Sequence, residues 1–254
     1  MIKISNLTKK YHSLVAVSDL HLEIPPGEFF GFLGPNGAGK TTTIKMMMGL
    51  LKPTDGSITV GGYDISTNPV EAKSIIGYIP DRPFIYEKLT GLEYLGFIAD
   101  LYGMDSAISE KRANQFLEFF DLGDCRNELI EGYSHGMKQK LVISSALLHD
   151  PKVIVVDEPL VGLDPKGARQ VKNLFTDLCQ KGVSIFMSTH SMGVAQVMCH
   201  RVGIIKKGKL IALGSLEELR AQAQNEHGNL EDIFLELTGD ARLERLMESI
   251  QSSV

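Results

Sequence analysis

EFFGFLGPNGAGKTTTIKMMMGLL, residues 28–51, joins three kinds of segment in one line. EFFGFL (28–33) is a short aromatic run that reads as a buried strand. GPNGAGKT (34–41) fits the spacing G-x-x-x-x-G-K-[ST], with Gly34, Gly39, Lys40 and Thr41 at the fixed positions. TTTIKMMMGLL (41–51) reads as a helix, stopped at Lys52-Pro53. A strand, a glycine loop and a helix in that order turn successive backbone N–H groups inward and aim a positive helix end at the same point. That is a phosphate cradle. Lys40 is expected to reach the β- and γ-phosphates of a nucleotide, and Thr41 to ligate Mg²⁺.

Working outward, residues 2–11 and 14–24 alternate apolar and polar, the signal of half-buried strands, before the break at Pro25-Pro26-Gly27. GSITVGGYDI (56–65) returns to strand and turn. From about Tyr86 to His149 the apolar spacing is mainly helical. Strand and helix then alternate: VIVVD (153–157), a helix over 166–181, VSIFMS (183–188), a helix over 191–199, and a hairpin of VGIIK (202–206) and KLIALG (209–214) across Lys207-Gly208. Such alternation implies an α/β core with a parallel sheet. Residues 215–254 read as a charged helical tail.

VIVVDEP supplies the carboxylates that a phosphate cradle needs, at a strand end where ligands of α/β sheets gather. Asp157 is expected to hold Mg²⁺ through a water, and Glu158 to polarise an attacking water as a general base.

Bulk composition narrows the function. The chain has 254 residues and a formal net charge of −5, which argues against a dedicated nucleic-acid binder, so no nucleic-acid partner is expected. The three cysteines, Cys125, Cys179 and Cys199, have no metal-like spacing and suit a reducing compartment. No run approaches the roughly 18 apolar residues of a membrane helix, and the start lacks the apolar core of a signal peptide. The expectation is a cytoplasmic protein whose membrane part, if it serves one, is another polypeptide.

The cradle, YSHGMKQ (133–139), VIVVDEP (153–159), LVGLDP (160–165) and STH (188–190) occur in the order and approximate spacing of the ATP-binding cassette family, and the chain resembles that family over nearly its whole length. The resemblance implies an α/β fold: a P-loop NTPase core with a mainly parallel sheet, an N-terminal antiparallel β subdomain and an inserted helical subdomain. The cassette would run over 1–215, with the core at about 1–83 and 150–215, the helical subdomain at about 84–149, and a C-terminal helical tail over 216–254. Its cofactors would be ATP and Mg²⁺. Tyr11 would stack on adenine. Gly34, Pro35, Asn36, Gly37, Ala38, Gly39, Lys40, Thr41 and Thr42 would hold the phosphates. Asp157 and Glu158 would be the Walker B acid and the catalytic base. His190 would contact the γ-phosphate, and Asp164 would lie in the loop that couples two facing cassettes.

Two positions depart from the family pattern. Asp81, in PDRP, stands where a Gln normally senses the metal and the water; an ionised acid accepts hydrogen bonds from metal-bound water but donates none. In the signature segment Ser134 and Gly136 match, while His135 replaces a Gly and Met137 replaces a Gln. Ser134 reads as a helix cap whose free N–H groups would receive the phosphate of an ATP held by the opposite subunit.

The implied machine is a homodimer or heterodimer of cassettes that powers a permease on a separate membrane chain, at the inner face of the membrane. YSHGMKQK, YEKLTGLEYL (86–95) and LEDIFLELTGD (230–240) resemble the branch that mostly exports. Phe84, Ile85, Tyr86 and Leu89 are the expected docking residues. Two other readings stand beside it: a non-transport cassette acting on DNA or ribosomes, and a regulatory nucleotide-binding module.

Overall fold

The computed structural model describes residues 1–239. In chain order the elements are β1 (Ile2–Tyr11), β2 (Leu14–Ile24), β3 (Phe29–Leu33), α1 (Lys40–Met47), β4 (Asp55–Val60), β5 (Tyr63–Asp64), α2 (Pro69–Ser74), β6 (Ile76–Ile79), α3 (Gly91–Leu101) and α4 (Ser106–Phe119). Then come α5 (His135–Leu147), β7 (Val153–Asp157), α6 (Pro165–Gln180), β8 (Ser184–Thr189), α7 (Met192–Met198), β9 (Arg201–Lys206), β10 (Lys209–Gly214), α8 (Leu216–Ala223) and α9 (Leu230–Thr238).

The strands form two sheets. One has the order β2-β1-β4-β5 and is antiparallel; the other has the order β10-β9-β3-β8-β7-β6 and is parallel except for its β9–β10 edge. Strands β3, β7 and β8 are buried at every position. A parallel strand covered on both faces needs no polar side, which is why these segments read as unbroken apolar runs. Their alternation still sorts the two faces. Phe29, Ile154, Val156, Ile185 and Met187 share a core with α3–α6, whereas Phe30, Phe32, Val153, Val155 and Phe186 share one with α1 and the antiparallel sheet. The rings of Phe30 and Phe32 lie 5.8 and 5.3 Å from that of Phe186. Deleting that ring would cost about 3–5 kcal/mol.

The helical region between β6 and β7 is built from capped starts. Thr90 and Glu93 form a capping box on α3, Asp105 caps α4, and Ser134 caps α5. Each cap satisfies N–H groups that a helix start leaves open. Helix α6 turns Val171, Phe175 and Cys179 to the core at four-residue spacing.

Helices α8 and α9 do not hang free. Leu219, Leu230, Ile233 and Phe234 share a third core with Leu33, Ile204 and Ala212. The expectation of a helical tail over 216–254 therefore meets two packed helices up to Thr238; its stretch 240–254 lies outside the described residues.

Candidate functional site

The C-terminal ends of β3, β7 and β8 are neighbours in one sheet, and the loops that leave them carry the expected chemistry to one edge. From β3 the chain enters Gly34–Gly39 and then α1. Gly34 allows no side chain, because a Cβ there would meet Ile205 O at 2.3 Å. Gly39 caps α1 with φ 115°, a conformation open mainly to glycine. Lys40 is buried beneath the loop, with its Nζ donating to Gly34 O at 2.7 Å and to Pro35 O at 3.3 Å. Burial pulls the Lys40 ammonium down, and the charges of Glu158 and Asp157 oppose that.

Asn36 to Thr42 line a cavity of about 530 Å³ together with Tyr11, Ala16 and Lys207-Gly208. Tyr11 ends β1 and is half exposed there, with Lys9 Nζ 5.2 Å from its ring centroid. The β9–β10 turn was not foreseen as part of this wall. Gly208 N donates to Ala38 O, and Gly208 O accepts from Ser18 N, each at 2.8 Å, so the turn is pinned to both the loop and β2. Its only sequence signal is the Lys-Gly turn, which looks like any other hairpin.

From β7, Asp157 meets the start of α1: Thr41 Oγ1 donates to its Oδ2 at 3.3 Å. Burial pushes the Asp157 carboxyl above its ordinary range, and the negative charges of Asp81 and Glu158 add to this. Asp81 lies just past β6, exposed, close enough to act on Asp157 electrostatically.

Glu158 follows with φ 52°, unusual for a side chain of its size, at the mouth of the site. Its carboxylate accepts three hydrogen bonds: Thr189 Oγ1 at 2.9 Å, His190 N at 2.8 Å and His190 Nδ1 at 2.6 Å. A carboxylate only accepts, so the His190 ring carries its proton on Nδ1 and turns Nε2 outward. Thr189, unassigned from sequence, is the residue that completes this clamp.

Could these residues hold a nucleotide and a metal? The cavity has the volume of a small-molecule site. Lys40 Nζ donates to two carbonyls, Gly34 O and Pro35 O, and the Thr41–Asp157 pair offers hard oxygen donors. Among the described residues no cluster of three or more His, Cys, Asp or Glu could cage a metal. That suits Mg²⁺, which takes one or two protein oxygens and completes its shell with water and substrate phosphates. The residues fit.

Ser134 and Gly136 are elsewhere. They begin α5, and neither lines the cavity around the loop. Ser134 is exposed, and its Oγ accepts from Met137 N at 3.3 Å. The His135 ring lies against Gly162, where a Cβ would come within 2.1 Å of it. Of the expected docking residues, Phe84 and Tyr86 are exposed at 82% and 60%, while Ile85 and Leu89 pack against the helical core. Beside Phe84 a groove of about 380 Å³ runs between α1 and the helical region, lined by Leu50, Tyr78, Tyr94, Tyr102 and Val142. No helix among the described residues is long and apolar enough to cross a membrane.

Comparison with known proteins agrees with this layout. The family described as ABC transporter matches residues 17–161. A linearmycin resistance ATP-binding protein of Bacillus subtilis (strain 168) is 35% identical over 99% of this chain and 79% of its own. A solved ATP-binding subunit of an ABC transporter superposes with a TM-score of 0.90 at 33% identity, covering 94% of this chain and 99% of that one. A dimeric ATP-binding cassette in a post-hydrolysis state, bound to ADP and Pi, superposes with a TM-score of 0.78 at 27% identity, covering 85% and 99%.

Proposed function

The chain belongs to the ABC transporter family as an ATP-binding, Mg²⁺-dependent ATPase subunit, and we propose that it works as a dimer that drives export through a permease on a separate membrane chain. The observation that carries this is the separation of two phosphate-facing ends. The cavity around Lys40 and the 36–42 loop is lined by no residue of α5, while the capped start of α5 stands exposed. Each end lacks what the other supplies.

In this reading Gly34–Thr42 wrap the phosphates, Lys40 meets the β- and γ-oxygens, and Tyr11 stacks on the base. Thr41 and Asp157 hold Mg²⁺, with Asp81 accepting from its waters. Mg²⁺ held there by Thr41 and Asp157 would supply positive charge against the charge that develops on the phosphates. Glu158 takes the proton of the attacking water, and His190, oriented by its Nδ1–H bond to Glu158, directs Nε2 at the γ-phosphate. Ser134 and Gly136 of the facing subunit close over the same phosphate through the α5 N-terminus. Removing that phosphate removes the charge that holds the two ends together, so hydrolysis opens the dimer.

Phe84, Tyr86 and the groove behind them form the surface for a cytoplasmic helix of the permease. In this reading the subunit works in the cytoplasm at the inner face of the membrane. Export is supported by the signature variant and by the resistance role in the name of the Bacillus relative.

The test is Glu158→Gln with ATP and Mg²⁺. The variant should pair with ATP and stay monomeric with ADP when followed by light scattering. A variant that binds ATP and never pairs would overturn the composite site.

A further inference from the structure

We propose that His135 is a positioning residue, through which the start of α5 acts on the loop that carries the same subunit's Glu158 and Asp164; this rests on the composite site above. One face of α5 looks at that loop. A Cβ on Gly162 would lie 2.1 Å from His135 Cδ2 and 2.6 Å from His135 Nε2, so the imidazole covers the place of a side chain. Gly162 has φ 80°. A Cβ on Gly136 would lie 2.9 Å from Gly162 O. One turn along, Lys140 Nζ is 3.7 Å from Asp164 Oδ1, and its Cε would be 2.9 Å from a Cβ on Gly167. Positions 136 and 140 share a helix face, so these are contacts of one surface and not of scattered side chains.

The loop is wound tightly enough to carry a displacement. Val161 N donates to Glu158 O and Leu163 N to Leu160 O, each at 3.3 Å; Leu160 and Leu163 pack on the core; and Asp164 Oδ1 caps α6 through Gly167 N at 3.1 Å. Glu158 is therefore fixed at one end by its clamp to Thr189 and His190, and Asp164 at the other by its cap. Gly162, between them, is the point with no side chain of its own, and His135 supplies one. When Ser134 engages the partner's nucleotide, the neighbouring imidazole carries the motion of the α5 start onto Gly162 and so onto this subunit's own base. The two ATP sites of a dimer are then linked inside each chain, by a ring where a glycine would leave a gap.

The test uses the full chain with ATP and Mg²⁺. His135→Ala is expected to lower kcat roughly tenfold, less than the roughly 10²-fold that a 1 Å misplacement can cost, because the clamp on Glu158 stays in place. Affinity of the isolated subunit for a fluorescent ATP analogue, and ATP-driven pairing in the Glu158→Gln background, should stay within about twofold. His135→Phe, which keeps a flat ring over Gly162, should recover most of the kcat. Unchanged kcat in His135→Ala overturns the proposal. So does pairing that falls by the same factor as kcat, which would make His135 an interface contact only, and so does a Phe variant as slow as the Ala variant. If Glu158→Gln itself fails to pair, the composite site falls and this proposal with it. Normal pairing beside an unaltered His135→Ala sinks the role of His135 alone.

Discussion

The loop around Lys40 and the start of α5 are built on opposite plans. The loop around Lys40 is held from within: its lysine and Asp157 are buried, its oxygens accept from Lys40, and Gly34 sits against Ile205 O. The start of α5 is open, with Ser134 exposed and, among the described residues, bound to its own helix. Burial fixes the first end before any ligand arrives, at the cost of desolvating its charges. The second leaves the start of a helix at the surface, where N–H groups without a partner in the helix can meet solvent or another molecule. One end is thus suited to binding and chemistry by itself, and the other to sensing whether a phosphate is present elsewhere.

The sharpest separation of these plans is at Glu158. Its three hydrogen bonds to Thr189 and His190 survive replacement of one oxygen by an amide only in part. The proton acceptor is lost outright. Glu158→Gln should reduce steady-state turnover by roughly 10³-fold, the middle of the range for a general base, while ATP binding persists. Turnover within tenfold of the parent, read by phosphate release, would take the role of base from Glu158.

A second contrast lies along α5 itself. Its start is exposed, but just past its end His149 stacks on Tyr102 with ring centroids 3.7 Å apart. Burial pulls the His149 pKa from 6.5 to about 4, and the nearby Arg112 charge adds to this, against the pull of Asp150. The unfolded chain therefore binds this proton near pH 6.5 and the folded chain only near pH 4, so stability is full above pH 6.5 and falls as pH drops through that window. The difference is on the order of 3 kcal/mol. His149→Phe keeps the stack and removes the proton, so urea titrations at pH 7 and pH 4.5 should differ less for the variant than for the parent. An equal difference would show that α5 is not anchored by a neutral imidazole.

Much of the first end was legible in the sequence because strand, loop and helix are contiguous there: EFFGFL and GPNGAGKT state the element and its chemistry together. β7 was legible for the same reason, its apolar run ending in Asp157-Glu158. What escaped came from packing between distant segments. The Lys207-Gly208 turn joins the wall of the cavity only because β9 lies beside β3. β6, four residues long, carries too little pattern to be seen, although it closes the sheet and sets Asp81 near Asp157. Ile85 and Leu89 share their apolar character with Phe84 and Tyr86, and only the fold divides core from surface. Likewise, the sequence marks His135 as a departure without saying that Gly162 lies under it.

Ser134 tests the open end directly. Ser134→Arg places a long side chain in the space where the γ-phosphate would arrive, and it removes the hydroxyl and the cap. ATP-driven pairing should weaken about 30-fold, about 2 kcal/mol, within the range of one lost hydrogen bond to a charged group. Binding of ATP by the isolated subunit should hold within about twofold, since no α5 residue lines the cavity. A parallel loss in both measurements would mean that the α5 start supports its own subunit's loop.

The smallest effect belongs to the rim of the closed end. Tyr11 is half exposed, and the ring already has Lys9 Nζ 5.2 Å from its centroid. Stacking on a base contributes about 1–3 kcal/mol by alanine substitution, and the lower figure suits a ring this open. Tyr11→Ala should therefore raise KM for ATP about five- to tenfold with kcat unchanged, the pattern of a contact equally strong before and during the reaction. Tyr11→Phe should behave as the parent, because the ring face and not the hydroxyl meets the base. Inorganic triphosphate separates stacking from mere support of the loop. It has no base to stack, so its affinity should be the same for parent and Tyr11→Ala. If triphosphate binding falls as far as ATP binding, Tyr11 is a prop for the 34–42 loop, and the closed end reads phosphate only.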